Sequence, residues 1–446
     1  MMNWLLNHSP LLYFTQSLWR DEAFSVLVAE RPLSFLVTKL GFEPPVYYIL
    51  LHFWMKIFGN GEIAIRSLSL LAMTLATIVV IHWAEKLFKR SFLSWYLPVF
   101  FFFNPMLLYY AFEVRTYAWM VLFTVLSFFF YSEKKWKHYT LATILGFYTH
   151  TYFLFVPVAQ AFHWVFLHRD KFRRRSLTGL WKEPMVRSLT VSAAVIAPWL
   201  WKVAREASML KHAWYFPVNF NLVKSVLGNM FLGYEGTPWY AWQYTAWLSL
   251  IILALFGIAA ADKKKRERNT LFLFGVFIPL IIVIGVSFIK PLFVNRYLIP
   301  VTVAQVFLVA AALEAIRNAT IRKLTASVFL LSVIGFNLWY PKEHAKLDIR
   351  TTLSQVNELA GPNDVTLAET PLIFFESIYY SEDRSRVFLY NPNNVAFPWY
   401  VGGIIVSDDQ MAQDLPMYPV RAFLVHEDGS FSISYRAPLT PERTGE

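Results

Sequence analysis

Three short clusters of charge interrupt an otherwise apolar chain, and each holds residue types that move protons or grip anions. The first is Trp19-Arg20-Asp21-Glu22-Ala23-Phe24-Ser25, two adjacent carboxylates beside an arginine and flanked by aromatics, followed by Glu43-Pro44-Pro45-Val46-Tyr47-Tyr48. The second is Glu113-Val114-Arg115-Thr116-Tyr117 and the third Asn295-Arg296-Tyr297; His150 stands between Tyr148 and Tyr152. Carboxylates accept protons, and an arginine fork binds carboxylate or phosphate oxygens in pairs. A surface ion pair at the head of a helix is the plain alternative for Asp21 and Glu22. Tyr110 and Tyr117 lie three residues before and four after Glu113, so all three share a face if the segment is helical, whereas Arg115 points elsewhere unless the chain turns. The chain has no cysteine, which excludes disulfides, thiolate zinc, iron–sulfur clusters and cysteine nucleophiles. No histidine pair at helical spacing with an acidic partner and no dense acidic cluster occurs, so no metal cofactor is expected.

The elements that must position these residues are membrane helices. Of 446 residues 56% are hydrophobic, 18% aromatic and only 16% charged, with a mean hydropathy of +0.41, far from the mix of a soluble domain. Ten apolar runs are read as spans: 63–84, 94–111, 116–132, 139–152, 154–167, 187–203, 240–260, 270–289, 297–315 and 324–340. The net charge of +11 gathers in short intervals between spans, at Glu85 to Arg90, Lys134 to His138, Arg169 to Arg175, Lys263 to Arg268 and Arg317 to Lys323. Such clusters orient spans and call for no nucleic acid; the positive-inside rule makes these intervals cytoplasmic. The segments Asp21 to Phe58, Tyr110 to Thr116, Thr149 to Tyr152, Arg205 to Tyr240 and Lys290 to Arg296 then lie outside, as does the C-terminus. No span precedes Asp21 to carry the N-terminus across, so a missing first helix or an alternative start is expected, for a total of about 10–11 helices. The loop from Arg205 to Tyr240, with Trp214, Tyr215, Phe216, Tyr234, Trp239 and Tyr240, is expected to form an amphipathic element over the site.

Beyond Tyr340 turn residues appear, as in Gly361-Pro362-Asn363-Asp364 and Asn391-Pro392-Asn393-Asn394. Residues 341–446 are read as a small soluble α/β domain outside the membrane, after a membrane domain of 1–340. Its expected strands are Val365 to Ala368, Val387 to Tyr390, Gly403 to Val406, Ala422 to Val425 and Phe431 to Tyr435, with an amphipathic helix over Leu347 to Leu359.

The string Trp19 to Ser25, the Pro44-Pro45-Val46-Tyr47-Tyr48 segment, Phe58-Gly59 with Glu62 and Arg66, the Glu113 to Tyr117 loop, Thr149 to Tyr152, and Asn295-Arg296-Tyr297-Leu298-Ile299-Pro300 together resemble GT-C-type membrane glycosyltransferases. More narrowly they resemble the branch of the protein O-mannosyltransferases and the lipid A aminoarabinose transferase. The resemblance implies an all-α polytopic enzyme of the plasma (inner) membrane. It implies transfer of a sugar, by a hexosyl- or pentosyltransferase, from a polyprenyl-phosphate donor to a protein, lipid or polysaccharide acceptor at the outer, periplasmic face, with inversion. It carries the catalytic carboxylate onto Asp21, with Glu22 and Glu113 as further catalytic candidates. A phosphate leaving group needs cations, for which Arg296 leads, followed by Arg115 and Arg66; an interfacial anchor is the alternative for Arg66. Glu43, Tyr117, His150 and Tyr297 are the candidate substrate contacts. Glu113 reads equally as an orienter of sugar hydroxyls and as an arginine's partner, whereas a lone histidine such as His150 at an outer helix end is more often a satisfied interfacial residue than a ligand. A transporter or flippase for lipid-linked sugars shares this composition but should place ionisable residues near mid-membrane and show repeated halves. A scaffold that binds lipid-linked sugar is the third reading.

Overall fold

A computed structural model describes residues 8–89, 91–169, 179, 181–206, 217–233, 241–398 and 401–437. The apolar runs read as spans are mainly helical where they are described, as an apolar chain must be when lipid offers its backbone no hydrogen-bond partner, and two of them are broken: the run 139–152 ends its helix at Thr149, with His150 extended. The run 94–111 is two helices, Leu93–Phe102 and Pro105–Ala111. Asn104 breaks it: its side chain accepts from Leu107 N and donates to Phe231 O, while Pro105 takes the first helical position, where no N–H is needed. Among the described residues, five helices are long and apolar enough to cross a membrane: Glu62–Phe88, Gln243–Ala261, Lys263–Ser287, Asn295–Ala315 and Ala319–Glu343. Shorter apolar helices, among them Val46–Phe58, Leu93–Phe102, Tyr117–Ser132 and Thr151–Leu167, complete the bundle.

The Asn295–Ala315 helix is the axis of this bundle, 89% of its apolar window being buried, and it opens with Arg296. The helix Phe220–Leu232 departs from expectation. It does not lie over the bundle as a cover but is packed into it: Ser249 Oγ accepts from Gly228 N, while Thr302 and Gln305 donate to Met230 O and Leu227 O. Carbonyls that already have buried partners bind the helix to its neighbours rather than to a water interface. Trp214, Tyr215, Phe216, Tyr234, Trp239 and Tyr240 lie outside the described residues.

After the last long helix the chain forms a five-stranded sheet of order β3-β2-β1-β4-β5, with β1 (Val365–Ala368), β2 (Val387–Tyr390), β3 (Met411–Ala412) and β4 (Ala422–Val425) parallel and β5 (Phe431–Ser434) antiparallel. The helix Ile349–Leu359 buries Ile349, Thr352, Leu353 and Val356 along one face. Gly403 to Val406, expected as a strand, is instead a turn of 3₁₀-helix following Gly402, whose φ of 110° only glycine adopts without strain. A second helix, Phe374–Tyr380, has no helical period in its aromatic-rich sequence.

This layer is docked on the Arg20–Ala29 helix. Phe24 and Phe375 lie 5.5 Å apart, Arg31 donates to Ile405 O, Arg384 pairs with Glu30 at 2.8 Å, and Tyr380 accepts from Leu18 N at 2.7 Å. A Cβ on Gly402 would stand 2.5 Å from the Phe24 ring. Gly402→Ala is therefore expected to destabilise the docked layer by about 1–3 kcal/mol, seen as a lower Tm and earlier proteolysis of residues beyond 340. Wild-type values for both would contradict this docking.

Candidate active site

The site is built at the start of the Arg20–Ala29 helix. Asp21 and Glu22 occupy its first turn, where unsatisfied backbone N–H groups favour negative charge. Glu22 also accepts from Trp19 N at 3.4 Å, closing the helix start on itself. The two carboxylates then face different surroundings.

Glu22 is fully buried. Arg66 from the Glu62–Phe88 helix grips it bidentately, at 2.9 and 2.7 Å, Val114 N donates at 3.1 Å, and Lys346 Nζ reaches it at 2.8 Å. Burial pushes its carboxyl up, but Arg66 and then Lys346 outweigh that and bring it down to about 2. Arg66 is also 0% exposed, and its other N–H groups go to Phe14 O, Gln16 O and Ser17 O. Every donor of this guanidinium is engaged within the protein. The interfacial-anchor reading of Arg66 is overturned by that burial.

Asp21 sits at the edge of the cluster, its side chain 11% exposed. Arg20 holds Oδ1 at 3.0 and 2.9 Å and Arg296 stands 3.3 Å from Oδ2. Burial would raise this carboxyl, yet Arg20, Arg115 and Arg296 together hold it well below the usual carboxylate range. The surface ion pair considered from the sequence is thus a partly enclosed carboxylate among three arginines. Among the described residues Arg115 makes only long contacts, 3.4 Å to Asp21 O, 3.3 Å to Ser25 Oγ and 3.4 Å to Glu43 Oε1, and its buried Nε has no partner there. Glu43 in turn accepts from Tyr48.

The segment carrying Glu113 is not helical. Residues 112–116 form a tight turn in which Arg115 N donates to Glu113 O at 2.8 Å, and this turn brings both side chains into the site. Tyr110 and Tyr117 still pack ring to ring, 4.5 Å apart. Glu113 is 1% exposed; Oε1 accepts from Tyr109 at 3.4 Å and lies 3.8 Å from Lys346, while Oε2 has no partner among the described residues. Burial pushes its carboxyl up to about 7 against the pull of Lys346. Beside it Tyr117, His150, Tyr152 and Tyr297 make an aromatic wall, with ring centroids 5.0 Å apart for both His150–Tyr297 and Tyr152–Tyr297 and 6.4 Å for Tyr117–Tyr297. His150 accepts from Tyr152 N, and burial followed by Arg115 and Arg296 lowers it to about 3, so the imidazole is neutral.

All ten residues singled out from the sequence thus meet in one cluster. Sequence reasoning missed Lys346, whose ammonium also lies over the Trp19 and Tyr109 rings; a lone lysine just after a span reads as an interfacial anchor. It did not single out Arg20 or Glu376 for a role either. Around Asp21, Glu22, Glu43 and Glu113 stand Arg20, Arg66, Arg115, Arg296 and Lys346, and Glu113 is only partly ionised at neutral pH. The cluster is net positive and suits an anionic ligand.

Two outcomes follow. Arg66→Met should cost about 3–5 kcal/mol by stranding Glu22, so it lowers the yield and Tm of folded protein; normal stability would contradict the closed pairing. Because the Glu113 pKa is raised, its stabilising contribution is complete below the unfolded value near 4.3 and is lost as pH rises towards 7, by up to roughly 3 kcal/mol. Glu113→Gln is therefore expected to raise Tm relative to wild type at pH 8 more than at pH 5. An equal difference at both would refute the raised value.

No known family model matches this chain, and no curated protein matches it. Solved structures do, among them ArnT from Cupriavidus metallidurans in the apo state, with a TM-score of 0.59 at 12% identity over 95% of this chain and 90% of that one, and the same protein bound to undecaprenyl phosphate, with a TM-score of 0.59 at 14% identity over 95% and 91%. At such identities the likeness is one of architecture, and over nearly its whole length this chain has a fold similar to that of ArnT.

Proposed function

We propose that this protein is a GT-C-type glycosyltransferase that moves a sugar from a polyprenyl-phosphate donor to an acceptor hydroxyl at the outer face of a membrane, with Asp21 as base. The observation that carries the reading is Asp21 at the edge of a net-positive cluster, between Arg20 and Arg296 and beside the loosely held Arg115. The shared architecture with a protein solved with undecaprenyl phosphate supports a donor of that class.

The roles follow from which groups are still available. The acceptor oxygen attacks the anomeric carbon while its proton passes to Asp21 Oδ. The bond from that carbon to the phosphate oxygen breaks, and its electron pair leaves with the phosphate. One such displacement inverts the anomeric centre. Asp21 in the resting site is a weak base because arginines hold it ionised. A donor phosphate that takes Arg296 and Arg115 for itself lifts that hold and raises the basicity of Asp21 when a base is needed. The same two arginines stabilise the departing charge. Glu22, a catalytic candidate, and Arg66, a candidate phosphate ligand, are reassigned to the brace beneath the site, since their capacity is spent on one another, on Lys346 and on the backbone. Glu43, Tyr117, His150 and Tyr297 line the approach to Asp21 and Arg296 as sugar contacts, and Glu113 orients hydroxyls through Oε2. Residues 341–446, read as an outer domain, supply Lys346 to the brace, so a boundary at residue 340 divides the site.

The test is sugar transfer from defined polyprenyl-phosphate-sugar donors by detergent-solubilised protein. Asp21→Asn is expected to lower kcat about 10²–10⁴-fold with donor binding retained, Arg296→Lys to raise donor KM, and a chelator to leave the rate unchanged. Undiminished turnover by Asp21→Asn would refute the assignment of the base. Donor binding without transfer, together with donor flipping in liposomes, would favour a transporter; binding without either would favour a scaffold.

A further inference from the structure

Two guanidinium groups flank the Asp21 carboxylate, and they hold different oxygens. Consecutive residues of a helix do not face one another, so an arginine directly before an aspartate ordinarily points away from it. Arg20 turns back instead: its Nε donates to Asp21 Oδ1 at 3.0 Å, and its Nη2 stands 2.9 Å from the same oxygen. Its place as the first residue of the Arg20–Ala29 helix, after an extended Trp19, leaves that path open. The Trp19 indole supports the turn, its ring centroid 5.9 Å from Arg20 Cζ, where a cation is attracted to the ring face. Arg296 Cζ lies at the same distance from the same ring, and its Nη2 stands 3.3 Å from the other oxygen, Oδ2. One indole thus seats both arginines. Asp21 Oδ1 is gripped by its own neighbour in the chain, while Oδ2 is met by the arginine assigned above to the donor phosphate.

We propose that Arg20 is a positioning residue for sugar transfer: seated on the Trp19 ring, it pins Asp21 Oδ1 and leaves Oδ2 as the oxygen that takes the acceptor's proton. The inference rests on the reading of Asp21 as base and adds which oxygen acts and what aims it. The χ2 torsion of an aspartate is broad and roughly two-fold, so a carboxylate with no fixed partner exchanges its oxygens and loses the short reach a base needs. When the phosphate claims Arg296, Oδ2 is released while Oδ1 stays held. The acceptor's O–H bond then breaks as its proton passes to Oδ2, the acceptor oxygen bonds to the anomeric carbon, and the phosphate leaves with the electron pair of the broken bond. The grip has a cost, because a cation beside a carboxylate weakens it as a base. Loss of Arg20 therefore makes Asp21 more basic and yet slows the step, a pair of effects that a residue serving charge alone does not produce. The charged groups acting on Asp21 from the other elements are Arg115, Arg296, Glu43 and Glu376. Among the described residues only Arg20 and Arg296 pair with its carboxylate.

The experiment measures kcat, donor KM and the pH profile of kcat for wild type, Arg20→Met and Arg20→Lys, each also combined with Asp21→Asn, with Tm followed for each. Arg20→Met is expected to lower kcat about 10–100-fold with donor KM within about twofold of wild type. The acid limb of its kcat profile, which reports the donor-bound enzyme, should move to higher pH because a cation beside the carboxylate is gone. Arg20→Lys keeps the charge without the planar fork, so its acid limb stays near that of wild type while only part of the rate returns. It carries the comparison if the methionine variant does not fold. In the Asp21→Asn background either change should alter kcat by less than about twofold, because residues that act through one another are not additive. Wild-type kcat in Arg20→Met, an unmoved acid limb, or an equal loss in both backgrounds would overturn the proposal. So would a rise in donor KM of about tenfold with kcat kept, which makes Arg20 a phosphate ligand. If Asp21→Asn is inactive while Arg20→Met is not impaired, only this proposal falls; if Asp21→Asn turns over normally, the base assignment falls first.

Discussion

The pairing of Glu22 with Arg66 is the constraint around which the site closes. Two ions at 0% exposure are tolerable only when their hydrogen-bonding capacity is filled, and filling it draws in five parts of the chain. The Arg20–Ala29 helix contributes Glu22, the Glu62–Phe88 helix contributes Arg66, the turn at 112–116 contributes Val114 N, and the segment after the last long helix contributes Lys346. The carbonyls of Phe14, Gln16 and Ser17 complete the set. No helix alone can satisfy that pair, so the site has definite geometry only when the chain is assembled from near its N-terminus to residue 346.

With that brace in place, the reactive side of the cluster can be left underpaired. Among the described residues Arg115 keeps contacts of 3.3–3.4 Å and an Nε without a partner, and Glu113 keeps an Oε2 without one. Buried groups held this loosely would be a liability in an apolar core, where a half-satisfied network is worse than none. Beside a closed pair the same looseness lets arginines change partners without the backbone moving. On the proposed reading of Asp21 as base, ion pairs that exchange when a donor phosphate arrives would make that base strong only in the presence of donor.

Much of this was legible in the sequence, for a physical reason. Ionisable residues in a membrane protein are costly wherever they lack a task, so their positions carry information. Asp21, Glu113, Arg115, His150 and Arg296 stood out on that ground, and the apolar runs located the helices that carry them. What sequence could not show is how much of each residue's capacity is already used. Arg66 reads like Arg296 by type and placement, yet one is saturated by Glu22 and three carbonyls while the other faces Asp21 at 3.3 Å. Lys346 was hidden because its role depends on a long-range return of the chain. Glu376 was hidden inside an aromatic run with neither strand nor helix period. The strand expected at Gly403 to Val406 failed on Gly402, whose positive φ is a property of packing against Phe24 and Phe375 rather than of the local apolar pattern.

The C-terminal layer therefore has a place in the site beyond covering it. Helix Arg20–Ala29 has almost every residue from Asp21 onward buried, caught between the bundle on one side and helix Phe374–Tyr380 on the other. The carboxylates at its start are consequently set by two bodies at once. The bundle supplies Arg66, Arg115 and Arg296, and the layer fixes the approach to the helix start through the Tyr380 hydroxyl at Leu18 N. A displacement of the layer would shift Asp21 relative to Arg296 even though neither belongs to it. On the proposed reading of Asp21 as base, the aromatic contact of Phe24 with Phe375 then holds the reacting carboxylate in place as well as the fold.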